Sequence, residues 1–147
     1  METKEQKYDL LYRQVKSLVE GENDMVAKMA NVAAMVHETF GFWWTGFYRV
    51  VEDELVLGPF QGPVACMHIG FGKGVCGTAW KEMRSIVVKD VEEFPGHIAC
   101  SSASRSEIVV PMIRDGKMVA ELDVDSEKLA TFDEVDRVWM EKIVALL

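Results

Sequence analysis

The sequence predicts an α+β domain in which helices at both ends of the chain flank a mainly antiparallel sheet. Three observations carry this: apolar residues recur at helical spacing near each terminus, the middle of the chain alternates in aromatic and β-branched residues, and Asp115-Gly116 joins two strand-like runs. The first helix is expected over 8–19, where Tyr8, Leu11, Tyr12, Val15, Leu18 and Val19 fall on one side and Gly21 follows. A second should start after Asn23 or Asp24 as N-cap and run through Met25, Ala33, Met35 and Val36 to Phe40, with Gly41 as breaker. Strands follow at 42–51, at 55–57 after an acidic turn, and at 64–69. A short helix, G-T-A-W-K-E-M, has Cys76 at its start, then a strand covers 85–88 and a loop covers 90–106. That loop is long for a compact domain, and its apolar content marks it as functional. Strands at 107–114 and 117–124 make a hairpin, since Asp-Gly suits a tight two-residue turn. A capping box, Thr131 with Glu134, announces the last helix, with Val135, Val138, Trp139, Ile143 and Leu146 on its apolar side.

At 147 residues the chain is expected to form one domain, 1–147, with no linker or repeat. Sixteen basic against twenty-four acidic residues give a formal charge of −8, which argues against nucleic acid and anionic membrane as partners. No apolar N-terminal segment or membrane-length run is found, so a soluble cytoplasmic protein is expected. In a reducing compartment its three cysteines suit reactivity, burial or a transient bridge better than a permanent disulfide.

Cys100 follows a Gly-His turn and precedes small hydroxyl residues, a setting in which backbone N–H groups favour the thiolate. Cys76, at a helix start, is a rival nucleophile or a buried small residue. Spacing leaves all three pairings among Cys66, Cys76 and Cys100 open. Asp123 and Asp125 share a strand face, and the hairpin brings Glu107 near both; three carboxylates so close cannot all ionise, so one is expected to hold a proton near neutral pH. The alternative is a solvated strand end. Cys66 and His68 on one strand face, with His97 near Cys100, raise the question of zinc, but the C-x2-C and H-x3-H spacings are missing and no metal is expected. His97 is assigned to holding its loop through the backbone. The G-x-G at Gly72 lacks the rest of a phosphate loop. Trp43 and Trp44 point to opposite sheet faces, so that one can pack in the core and the other line a pocket.

The segments W-T-G-F-Y, L-V-L-G-P-F-Q-G, G-V-C-G-T-A, F-P-G-H-I-A-C, S-E-I-V-V-P and L-D-V-D-S, in this order, resemble the free methionine-(R)-sulfoxide reductases, enzymes built on a GAF domain. The likeness covers about 41–132, and all three cysteines fall in family positions. It implies a GAF fold with a central antiparallel sheet of about six strands, usually in a homodimer. It implies that Cys100 attacks the sulfoxide sulfur and becomes a sulfenic acid, that Cys66 condenses with it to a disulfide, and that thioredoxin recycles the enzyme with no bound cofactor. Cys76 matches an auxiliary thiol. Glu107, Asp123 and Asp125 match the pocket acids, and Trp44 would face the substrate methyl group. Two departures stand out: Ser101 follows Cys100 where many members carry an acid, and Pro63-Val64 varies the approach to Cys66. The same fold also serves non-catalytic sensory modules that bind small effectors, which is the alternative reading.

Overall fold

A computed structural model describes residues 1–97 and 103–147. Helices α1 (Lys4–Val19) and α2 (Met25–Phe40) precede strands β1 (Trp44–Val51), β2 (Glu54–Gln61) and β3 (His68–Gly70). Helix α3 (Gly74–Glu82), strand β4 (Ile86–Val88), a 3-10 turn (Val91–Glu93), the hairpin β5 (Ser106–Arg114) and β6 (Lys117–Ser126), and helix α4 (Glu134–Val144) follow. The strands form one antiparallel sheet in the order β3-β2-β1-β6-β5-β4, so the α+β architecture with a six-stranded antiparallel sheet expected from the sequence is found. None of the described helices is long and apolar enough to cross a membrane.

The sheet's two faces have different tasks. Ala120, Leu122 and Val124 of β6, Ile108, Val110 and Met112 of β5, and Phe47 of β1 pack against Leu11 and Val15 of α1, Val32 and Val36 of α2, and Met140 and Ile143 of α4. The opposite face carries Trp44, Tyr48 and Val109 and is covered in part by Val75, Cys76 and Ala79 of α3. Side chains alternate across a strand, so each residue of β6 is committed to one of these environments.

The hairpin turn is as expected: Asp115 and Gly116 have φ of 51° and 76°, the pair of left-handed conformations that a two-residue turn of this hand requires. Helix α2 begins with the Asp24 side chain accepting from the Ala27 N–H and ends at left-handed Gly41. Four expectations need correction. Helix α1 starts at Lys4, because Thr3 and Gln6 make a reciprocal capping box in a polar first turn that apolar periodicity cannot register. The strand expected at 64–69 is confined to His68–Gly70: Gly62 turns with φ 125°, Pro63 has no N–H to donate, and Val64 and Met67 are exposed. Cys66 therefore precedes the strand, and the strand face it was expected to share with His68 does not exist. At the last helix the box is Asp133 with Asp136, while the Thr131 hydroxyl bonds Ser126 Oγ at 2.6 Å; Val138 is exposed, and Met140 and Val144 take the buried side.

Candidate active site

The site grows from the pairing register of three adjacent strands. On the face away from α1, α2 and α4, Trp44 of β1 lies opposite Asp125 of β6, Gly46 opposite Asp123, and Tyr48 opposite Glu121. Across β6, Asp125 pairs with Glu107 and Asp123 with Val109. Period-two alternation thus places Glu121, Asp123 and Asp125 in one row, with Glu107 beside its end. A pocket opens above them, lined by Trp44, Tyr48, Cys76, Glu107, Asp123 and Asp125, with Lys73, His97 and Ser104 at its margins.

Gly46 makes the aromatic wall possible. A Cβ there would fall 2.5 Å from Trp44 Cη2 and 2.4 Å from Phe60 Cβ, so the indole lies over bare backbone. The ring stacks on Phe60 with centroids 5.3 Å apart, and its Nε1–H donates to the Pro63 carbonyl at 2.9 Å. Its indole face, locked from both sides, remains an apolar wall of the pocket.

Electrostatics follows from burial. Glu107, Asp123 and Asp125 are held above the usual carboxylate range because burial disfavours the charged form, and for Glu107 the neighbouring Asp123 and Asp125 add repulsion. The Ser104 hydroxyl donates to Asp125 at 3.1 Å and offsets part of its shift. Glu121 is fully buried, neither carboxylate oxygen is within hydrogen-bond distance of a partner among the described residues, and burial pushes it well up as well, partly offset by the adjacent Cys76 thiol. Cys76 sits in the first turn of α3, yet burial and then the charges of Asp123, Glu121 and Glu107 raise its thiol well above the ordinary value. The helix N-terminus, which on its own would favour a thiolate, is outweighed.

A GAF domain model matches residues 23–147. The chain is 53% identical to GAF domain-containing protein A of Dictyostelium discoideum over 146 residues, 99% of this chain and 92% of that protein. It is 41% identical to the free methionine-R-sulfoxide reductase of Escherichia coli over 141 residues, 95% of this chain and 86% of the relative. The X-ray structure of free methionine-R-sulfoxide reductase from Neisseria meningitidis in complex with its substrate superimposes with a TM-score of 0.97 at 50% identity, covering 99% of this chain and 89% of that one. The chain belongs to the free methionine-(R)-sulfoxide reductases, a GAF-domain family.

Of the residues that the resemblance to this family singled out, the structure brings Trp44, Cys76, Glu107, Asp123 and Asp125 to one pocket. Cys66 is half-buried beside it, next to the pocket-lining Ala65, and its backbone carbonyl accepts from the Tyr48 hydroxyl at 2.8 Å. Cys100 lies outside the described residues. His68 is not part of the site: its ring is exposed and bonds Glu54 at 2.9 Å. His97 lines the pocket while its backbone N–H donates to the Phe94 carbonyl at 3.1 Å, the loop-holding contact anticipated for it. Tyr48, Gly46 and Glu121 were missed. Period-two steps along each strand, from Trp44 to Gly46 and on to Tyr48 and from Asp123 back to Glu121, place all three on the same face.

Proposed function

We propose that this protein, as a single GAF domain over 1–147, reduces free methionine-(R)-sulfoxide to methionine. The observation that carries the reading is the convergence of Glu107, Asp123 and Asp125 in a pocket walled by Trp44, in a chain of this family. An α-ammonium supplies the cation that these acids lack, and a residue within a polypeptide has no ammonium to give, so the pocket favours the free amino acid. The methyl-sulfinyl end then lies against the indole.

A sulfoxide is a poor electrophile until its oxygen is protonated or strongly hydrogen-bonded. Glu107, whose proton is retained by burial and by its two acidic neighbours, is the donor in this reading. The Cys100 thiolate attacks the sulfur, the S–O bond breaks, and the oxygen passes to Cys100 as a sulfenic acid while methionine leaves with its sulfur reduced. The Cys66 thiol then displaces that oxygen as water and forms the Cys66–Cys100 disulfide, which the dithiol of thioredoxin reduces. Cys76, a buried neutral thiol, has no role in the first step. The working form is a homodimer in the cytoplasm with no bound cofactor.

The decisive assay is NADPH consumption through a thioredoxin system with the separated R and S isomers of free methionine sulfoxide. Turnover of the R isomer is expected, with little for the S isomer or for N-acetylated substrate. Equal use of both isomers, or a preference for the acetylated compound, would overturn the acid-pocket assignment.

A further inference from the structure

The floor of the pocket has a donor set that the reduction does not use as a set. One ligand atom each from Cys76, Glu107 and Asp123 lies within 4.8 Å of the others, and all three residues are buried. The Cys76 Sγ is 3.9 Å from Glu107 Oε2. Among the described residues, Asp123 Oδ1 is buried without a hydrogen-bond partner, as are both oxygens of Glu121 beside the thiol. Unsatisfied buried oxygens around a thiol are costly, and they mark a place where a cation would be welcome. The only lysine or arginine among the described lining residues is Lys73.

We propose that Cys76, Glu107 and Asp123 bind a thiophilic divalent cation of the zinc or cadmium type, which occupies the floor of the pocket and keeps the substrate out. Tetrahedral zinc with one sulfur and two oxygen ligands sets its donor atoms roughly 3.4–3.6 Å apart. The observed separations, 3.9 Å between Cys76 Sγ and Glu107 Oε2 and at most 4.8 Å within the set, are somewhat wider than that. The thiolate supplies the soft ligand and the carboxylates the hard ones, so magnesium and calcium, which take oxygen alone, bind less well. On binding, the thiol proton and any shared carboxyl protons are released to solvent, so affinity rises with pH. The exclusion of substrate rests on the pocket reading proposed above; the binding itself does not.

The test uses reduced, chelator-treated full-length protein titrated with cadmium alone, following the ultraviolet thiolate-to-metal charge-transfer band, and with zinc alone by calorimetry. A band of one thiolate per chain is expected in the Cys66→Ser/Cys100→Ser double variant, because the other two thiols are not ligands. It should vanish in Cys76→Ser, and affinity should fall at least tenfold in Asp123→Asn. A full-strength band in Cys76→Ser, or no band in the double variant, overturns the site. Free methionine added to the zinc-loaded protein should weaken zinc binding. If the Cys76-dependent band forms but methionine does not compete, the cation site stands and the placement of substrate over these acids falls.

Discussion

Among single residues, Glu107 and the cysteines answer different questions. Glu107→Gln keeps the volume and removes the exchangeable acid proton, so methionine release in a single turnover should slow by about a hundredfold, within the usual range for general acid catalysis, while the protein stays folded. The folded-state value of Glu107 is raised, so the acid form persists above the ordinary carboxylate range and is lost as pH climbs through that raised value. The high-pH fall in kcat/KM of the native protein should include this loss, and the variant should lack it. An unchanged single-turnover rate in Glu107→Gln removes it as donor. Cys100→Ser should release no methionine, since a serine hydroxyl is far less ionised than a thiol. Cys66→Ser should release about one equivalent per site and leave a trappable sulfenic acid on Cys100. Mass spectrometry after one turnover locates the modified residue; an adduct on Cys76 would reverse the assignment. Gly46→Ala tests the aromatic wall. The added methyl collides with the Trp44 ring, so KM should rise more than kcat falls, with indole fluorescence as the reporter of ring displacement.

At the scale of elements, α1 and α4 are joined by a buried acid. Asp136 of α4 accepts from the Tyr8 hydroxyl at 2.5 Å, from Lys4 Nζ at 2.8 Å and from the Asp133 backbone N–H at 2.8 Å. Replacing it with alanine strips three donors at once and should cost about 3 kcal/mol, read by chemical denaturation, with little change in pocket chemistry on the far face of the sheet. A change below about 1 kcal/mol would mean that the two helices are held by apolar packing alone. Much of this element structure was legible in the sequence: α2, the Asp115-Gly116 hairpin and the Glu107–Asp125 proximity all follow from short-range rules. The start of α1 and the true cap of α4 were not, because Thr3 and Asp133 act through hydrogen bonds with polar neighbours and leave no apolar period. Spacing puts Glu121 on the same strand face as Asp123, but it does not reveal that the side chain is buried. An acid on the inner face of a central strand reads like any solvated strand residue until its neighbours are known.

For the molecule as a whole, the buried acids link stability to pH. A carboxyl whose folded value is raised binds more protons in the folded state than in the unfolded chain. Its contribution is therefore intact below the unfolded value of about 4 and becomes a penalty as pH rises from there toward the folded value, by about 1.4 kcal/mol per pH unit. For Glu121 the adjacent Cys76 thiol offsets only part of the effect of burial. Glu121→Gln should thus melt higher than the native protein at pH 7–8, and the two should converge near pH 4. A variant less stable at every pH would show that the carboxyl has a partner, such as a buried water, that the amide cannot satisfy.

Strand β6 lies inside the sheet, paired with β1 on one side and β5 on the other, and it alternates Ala120, Leu122 and Val124 toward the helices with Glu121, Asp123 and Asp125 toward the pocket. Its amide hydrogens should therefore be among the last to exchange with deuterated solvent, released only when the whole domain opens. The pocket acids of β6 are thus fixed to a strand paired on both sides, where local fraying should not displace them. Heat inactivation of substrate binding should follow the global melting curve, and selectivity should hold constant until the chain itself comes apart.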